Sequence, residues 1–292
     1  MADIAFVGVS TAASLVHRTF PVWMPLLGDR WGLRGVDLPL GADDGVYVDW
    51  LDELSHDSSL LGAVVTTHKV RLFQAAHSRF DWLDPIAVAC QEVNSIRRNP
   101  DGSLEGWARD PVSVGRVIDQ IWPGTEGQVT CLGAGGTGTA LAYHLSTSRP
   151  LVRLVCADPD AAAFDRLARL AGASIDLRLG SGPWDDLVAS SPPGSLIVNA
   201  TGLGKDRPGS PTTDAVRFPQ GATVWELNYR GDLRFLDQAR KQAPALRGVH
   251  DGWQLFCHGW AAALTVVLDR SDGETLGDRF VLAAGEIRPT RP

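Results

Sequence analysis

The chain is predicted to be α/β, with two α/β domains in succession, the second built on a doubly wound parallel sheet. Three observations predict this. Apolar runs of strand length alternate with helical patterns over the first third of the chain. The rhythm breaks at Pro123-Gly124 and then restarts, and a glycine-rich run lies between an apolar strand pattern and a helical one just after the restart.

With 292 residues, 44% of them hydrophobic, the chain can bury a core in each of two domains. A formal net charge of −7 argues against a nucleic-acid or anionic-membrane partner, because both need clustered cations. A small molecule is the expected partner, and the protein is expected to be a monomer or homodimer. No run of 18 apolar residues is present, and the start MADIAFVGVS carries an acid where a secretion signal carries positive charge, so a cytoplasmic location is expected. Cys90, Cys131, Cys156 and Cys257 show no CxxC spacing; reduced core thiols and no metal site are expected. Only three of the 27 basic residues are lysines, Lys69, Lys205 and Lys241, which makes each worth inspecting.

The elements follow in order. A strand is predicted over 4–9, a helix over 13–27, a strand over 33–38, a helix over 46–54, and a strand over 61–66 that runs straight into Thr67-His68-Lys69. Lys69 thus falls just past the carboxyl end of a strand, the edge at which open α/β sheets bind ligands. Residues 93–98 and 103–107 read as a hairpin across Asn99-Pro100-Asp101-Gly102, whose Asp-Gly favours a turn. Asp110-Pro111 opens a helix to about 121, with proline where its missing N–H costs nothing. The domain boundary is expected near 123, giving 1–122, 123–250 and a returning segment 251–292.

Beyond it come a strand over 129–132, a helix over 137–146, a strand over 152–157, a helix over 160–170, strands over 196–199 and 224–227, and a helix over 252–268. Residues 289–292 read as a frayed tail. Gly133-Ala134-Gly135-Gly136-Thr137-Gly138 lies between the first strand and its helix. Glycines there permit a tight turn, close backbone approach to a pyrophosphate and helix-on-strand packing, while the helix start supplies N–H donors. Asp158 ends the next strand, where a carboxylate accepts the adenosine-ribose hydroxyls and repels a 2′-phosphate, so a Rossmann domain preferring NAD over NADP is expected. The alternative is that Asp158 merely caps the following helix.

Taken together, these motifs resemble shikimate and quinate dehydrogenases over nearly the whole chain. Val65-Thr66-Thr67-His68-Lys69 is similar to the family's strand-end motif with a catalytic lysine, one residue shorter and without its proline. Glu92-Val93-Asn94-Ser95-Ile96 resembles the segment whose asparagine contacts a substrate hydroxyl, and Gly106-Trp107-Ala108-Arg109-Asp110 the segment ending in the catalytic aspartate. Val198-Asn199-Ala200-Thr201-Gly202-Leu203-Gly204 is similar to the loop beside the nicotinamide, Glu226-Leu227-Asn228-Tyr229 to a stretch with a substrate-facing tyrosine, and Gly252 to His258 to the start of the returning helix. The resemblance implies an N-terminal substrate domain, a C-terminal Rossmann domain and an NAD(H)-dependent interconversion of a secondary alcohol and ketone on a cyclic polyol. It implies Lys69 and Asp110 as catalytic residues, and Ser10, Thr11, Thr66, Asn94, Tyr229 and His258 as substrate-binding. The cofactor set is Gly133, Ala134, Gly135, Gly136, Thr137, Gly138, Asp158, Asn199, Ala200, Thr201 and Gly202.

The pattern also departs from the family. Thr11 and Ala13 stand where the family's two serines hold a substrate carboxylate, Val64 replaces an asparagine, His258 replaces a glutamine, and Ala108-Arg109 replaces an Asn-Thr pair. Shikimate is therefore expected to be a poor substrate, with His68, Arg109 and His258 as candidates for a relocated polar site. Two other readings stand beside the enzyme: a ligand-binding regulator that has lost catalysis, against which the retained Lys69 and Asp110 speak, and a dehydrogenase of the same two-domain plan acting on folates.

Overall fold

The computed structural model describes residues 2–28, 31–124, 127–170, 175–205 and 207–289. By Cα proximity the chain falls into two compact units: residues up to 110 with 257–288, and residues 111–256. One crossing lies at Asp110, the other at 256–257. The expectation of a tail over 289–292 lies outside the described residues apart from Pro289.

The first unit is built on six strands, β1 (Asp3–Gly8), β2 (Gly32–Asp37), β3 (Leu60–Val65), β4 (Trp82–Leu83), β5 (Ser95–Arg98) and β6 (Leu104–Trp107), in the order β2-β1-β3-β5-β6-β4. β1 pairs in parallel with both β2 and β3, and its Ile4, Ala5, Phe6 and Val7 are buried, as a central strand covered on both faces requires. β5 runs antiparallel to β3, and β6 to β5, joined by the expected turn with Gly102 at φ +90°. This places the carboxyl ends of β1, β2, β3 and β6 and the start of β5 along one edge of the sheet.

Helices α1 (Val16–Leu27), α2 (Asp44–His56), α3 (Lys69–Ala76) and α4 (Pro85–Cys90) connect these strands. Tyr47, Trp50, Leu51 and Leu54 of α2 and Leu72 and Phe73 of α3 join the apolar core. α1 starts at Val16 rather than 13, because Ser14 is extended (φ −74°, ψ 138°) and Thr11–Ala13 forms a separate 3₁₀ turn. Trp23 of α1 stacks on Phe280, with ring centroids 4.4 Å apart.

The second unit carries β7 (Gly127–Leu132), β8 (Val152–Asp158), β9 (Ile175–Leu179), β10 (Leu196–Asn199), β11 (Thr223–Glu226) and β12 (Gly248–His250), all parallel, in the order β12-β11-β10-β7-β8-β9. Counting from β7 this is the doubly wound order 3-2-1-4-5-6, with the switch between β7 and β10. α5 (Asp110–Ile121) leads into this unit; α6 (Gly136–Ser148), α7 (Ala161–Arg169), α8 (Asp185–Ala189) and α9 (Arg234–Arg240) accompany the sheet, α10 (Trp253–Val267) leads out of it, and α11 (Gly273–Ala283) belongs to the first unit. All four cysteines are buried and free.

Candidate active site

In the first unit the residues expected to carry chemistry line the common sheet edge. Lys69 is the first residue of α3, two turn residues beyond Thr66, and its carbonyl accepts from Val93 N–H at 3.0 Å. That bond lays residues 92–94 against the start of α3. Asn94 N–H donates to Trp107 O (3.0 Å) and Val65 N–H to Asn94 O (2.8 Å), so the segment before β5 is stitched between β3 and β6. Asp110 opens α5 three residues after β6 ends. Pairings far apart in sequence thereby bring Lys69, Glu92, Asn94 and Asp110 together.

Lys69 Nζ forms an ion pair with Asp110 Oδ2 and lies 3.2 Å from Glu92 Oε2 and 3.5 Å from Oε1. Glu92 is fully buried, while the Lys69 and Asp110 side chains are 11% and 25% exposed. Asn94 Nδ2 donates to Asp110 Oδ1 (2.5 Å), and Asn94 Oδ1 accepts from Arg109 N–H (2.8 Å) and Ser95 Oγ (2.9 Å). Burial alone pushes the Lys69 ammonium down, but the Asp110 and Glu92 carboxylates outweigh it and hold the group above the ordinary lysine range. A lysine so held keeps its protons and donates hydrogen bonds, and it is not a base at neutral pH.

Glu92 was not among the expected site residues. Its signal in the sequence was slight: an acid between the apolar Cys90 and Val93, at a helix-to-strand turn where exposure would be ordinary.

Thr66 is exposed, with its hydroxyl donating to Val7 O at 3.0 Å. Ser10 is exposed, whereas Thr11 is buried and its N–H donates to Asp37 Oδ1 at 2.7 Å. The Thr11 N–H and hydroxyl hold the exposed Asp37 carboxyl below the usual range, so a fixed negative charge stands beside Thr11. A pocket here is lined by Thr11, Ala12, His17, Gly35 and Asp37.

His68 is committed to the core, with its Nδ1 at 2.9 Å from Tyr47 Oη and its Nε2 at 2.9 Å from Leu38 O. That removes it as a relocated polar site, since both ring nitrogens are occupied. His258, on α10, is buried against Gly277, where an added Cβ would strike its ring, and lies 3.5 Å from Asp278 Oδ1. Arg109 is partly buried over the Trp107 ring, 6.0 Å from its centroid, with Asp84 nearby.

In the second unit, Gly133 sits at φ +111°, and a Cβ there would lie 2.6 Å from the backbone carbon and oxygen of Ala200. Gly138 likewise packs on the Gly133 carbonyl, while no atom lies within 4 Å of a Cβ built on Gly135. The loop after β7 thus presses on the loop after β10 through Gly133 and leaves Gly135 open beside the first turn of α6. The N–H groups of Gly136, Thr137 and Gly138 in that turn have no intrahelical acceptor. Asp158 Oδ2 accepts from Ala134 N–H (2.6 Å) and Oδ1 from Asp160 N–H (2.8 Å), whereas Asp160, not Asp158, caps α7 by accepting from Ala162 N–H (2.9 Å).

Asn199 is buried; its Nδ2 donates to Glu226 Oε2 (2.6 Å) and its Oδ1 accepts from Thr201 N–H (3.1 Å) and Oγ1 (2.7 Å). These bonds shape the Ala200–Thr201–Gly202 turn, with Gly202 at φ +72°. Tyr229 packs against Phe256 and Trp253, with Lys205 Nζ 6.0 Å from its ring centroid. The glycine loop fits a dinucleotide: open at Gly135, closed behind Gly133 and Gly138, and headed by helix donors.

A dinucleotide-binding sheet in one unit and, in the other, a sheet edge that holds a lysine between carboxylates define an NAD(P)-dependent dehydrogenase. No family model matches the chain. It is 30% identical to the shikimate dehydrogenase (NADP(+)) of Methylobacterium radiotolerans over 217 residues, which cover 70% of this chain and 73% of that relative. It is 28% identical over 234 residues to the enzyme of the same name from Anaeromyxobacter sp. strain K, covering 76% and 80% of the two chains. Among solved structures, shikimate 5-dehydrogenase from Thermus thermophilus in complex with shikimate superposes with a TM-score of 0.72 at 22% identity, covering 98% of this chain and all of that one. Quinate dehydrogenase from Corynebacterium glutamicum in complex with NAD gives 0.74 at 21%, covering 96% and 99%. The chain belongs to the shikimate dehydrogenase family.

Proposed function

We propose that this protein interconverts a secondary alcohol and a ketone on a cyclic polyol, with NAD as the preferred dinucleotide. The observation that carries the reading is Lys69 Nζ paired with Asp110 at the sheet edge, with Asn94 bound to the same aspartate. Oxidising such an alcohol requires a hydride to leave the carbon and a proton to leave its oxygen; NAD⁺ accepts the hydride when bound. Lys69 and Asp110 flank the reacting oxygen in this reading, and Asn94 orients Asp110.

The dinucleotide is held by the loop from Gly133 to Gly138 and the turn from Asn199 to Gly202. NAD preference rests on Asp158, whose carboxylate faces the glycine loop and would repel a 2′-phosphate. The curated relatives above carry NADP(+) in their names, so this preference is where the chain is expected to part from them. Calorimetry should show NAD⁺ binding at least about tenfold tighter than NADP⁺; equal affinities, or tighter NADP⁺, overturn the preference.

For the substrate, the Asp37 carboxylate beside Thr11 supports a molecule without an anion at that position, because two carboxylates there would repel. Ser10, Thr11, Thr66, Asn94, Tyr229 and His258 remain the proposed substrate contacts. The test is NADH formation with shikimate, quinate, an aminoshikimate and uncarboxylated cyclitols. A substrate should emerge with an efficiency at least about 100-fold above that for shikimate, as the loss of two hydrogen bonds of about 1.4 kcal/mol each implies. Lys69→Ala should lower turnover about 100-fold with little change in NAD⁺ affinity. Full turnover by Lys69→Ala removes the lysine from the mechanism.

A further inference from the structure

We propose that Glu92 is a positioning residue that keeps Lys69 an ammonium and aims it at Asp110, so that Lys69 acts only as a donor and Asp110 takes the hydroxyl proton. The second half rests on the function proposed above; the first stands on the geometry alone.

Glu92 is the most buried member of the cluster, and a buried carboxylate needs a cation. Lys69 Nζ lies within 3.5 Å of both its oxygens, and the same nitrogen pairs with Asp110. One ammonium is thus shared by two carboxylates. Neutralising Lys69 would deprive both of that cation in a poorly solvated site, so the lysine is barred from giving up its proton to serve as a base. The backbone enforces the arrangement: Val93 N–H bonds to Lys69 O, fixing residue 92 beside the start of α3.

Two further titratable groups near the cluster are Cys90 and Asp84. Cys90, at the end of α4, has its thiol pushed up by burial and by Glu92, and so adds no charge. Asp84, at the start of α4, has its carboxyl pushed up by burial, with the Arg109 guanidinium acting the other way.

The consequence for the reaction is a division of labour. In the oxidation direction the O–H proton passes to an Asp110 carboxylate oxygen as the C=O bond forms, and bound NAD⁺ would supply the acceptor for the C–H electron pair. Lys69 keeps its three protons and donates a hydrogen bond to the oxygen throughout. The Asp110 proton then leaves to water, so that alcohol and NAD⁺ give ketone, NADH and one proton.

The experiment uses the small number of lysines. With lysine labelled at Cε by ¹³C, the chain has three side-chain signals, from Lys69, Lys205 and Lys241, assignable by single substitution. Titrated by NMR without substrate, Lys69 in the wild type should stay charged beyond the ordinary lysine value of about 10.4. Glu92→Gln should lower its midpoint by at least about one unit, and Glu92→Asp should restore part of the shift. If Glu92→Gln does not fold, Asp110→Asn decides: Lys69 stays charged at pH 9 if Glu92 holds it, and loses its proton below that if Glu92 does not. A wild-type Lys69 that titrates at or below the ordinary value, or a midpoint unmoved by Glu92→Gln, overturns the proposal.

Once a substrate is in hand, the alkaline fall in kcat for oxidation should move to lower pH in Glu92→Gln by the same shift; a rate that instead rises as Lys69 deprotonates makes the lysine the base and sinks the assignment to Asp110. A failed substrate screen with the NMR result intact would fault the proposed function and leave the role of Glu92 standing.

Discussion

Replacing Lys69 with methionine removes the cation shared by Glu92 and Asp110 while keeping most of the side-chain volume. Asp110, a quarter exposed, can turn its charge toward water, but Glu92 is fully enclosed and cannot. Breaking a buried pair from one side costs about 3–5 kcal/mol, and we expect a loss in that range at neutral pH, borne almost wholly by Glu92. The loss should depend on pH in a definite sense. A buried carboxyl that has lost its cation is pushed above its ordinary value of about 4.3. Between that value and its new one the folded variant holds a proton that the unfolded chain does not, so the stability of the variant falls as pH rises. In the wild type, Lys69 is raised above its unfolded value; its contribution is fully present below about pH 10.4 and is lost only as the pH climbs past that point. Urea unfolding of both proteins near pH 4.5 and pH 7.5, fitted with separate transitions for the two units, provides the assay. A deficit below about 1 kcal/mol at neutral pH, or one that does not shrink at low pH, would refute the reasoning. Glu92→Leu added to the variant should recover most of the loss, since the buried charge then disappears.

Two further outcomes are expected. Gly133→Ala places a methyl carbon 2.6 Å from the Ala200 backbone at φ +111°; strain of about 1–3 kcal/mol that displaces the loop should weaken NAD⁺ binding by calorimetry about tenfold or more, and unchanged affinity would show that the loop does not need this close approach. Trp23→Ala removes a fully buried indole that stacks on Phe280 and donates from Nε1 to Phe280 O at 3.0 Å; it should cost the first unit about 3–5 kcal/mol, and a loss under 1 kcal/mol would mean that α1 and α11 are held by something else.

Much of the architecture was legible in the sequence because it rests on local chemistry. Alternating strand and helix patterns, the Asp-Gly turn before β6, the glycine run between β7 and α6, and Asp158 at the end of β8 each follow from a few adjacent residues. The eleven-residue α11 and the two-residue β4 escaped, and so did several elements whose local signal is faint. α3, α4, α8 and α9 are too short to be stable alone; β9 and β12 are edge strands that are at most half-buried, so neither shows the apolar run that marks a covered strand.

The candidate site divides along the same line. The residue types at positions 69, 94, 110, 133–138, 158 and 199–202, in that order, were enough to identify the family and name the chemistry. Which of them touch, and what else touches them, was decided by pairings across 16 to 41 residues. His68 lies next to Lys69 in sequence yet belongs to the core, because Tyr47, 21 residues away, takes its Nδ1. Thr11 reads in the sequence as a donor for a ligand, but only β2 shows that the Asp37 carboxylate stands at its N–H. Glu92 carried no assigned role in the sequence, and only the fold buries it completely with the Lys69 ammonium 3.2 Å away. Side-chain charge is written in the sequence, but the desolvation that gives a charge its energetic weight is a property of everything packed around it, and only the folded chain supplies that.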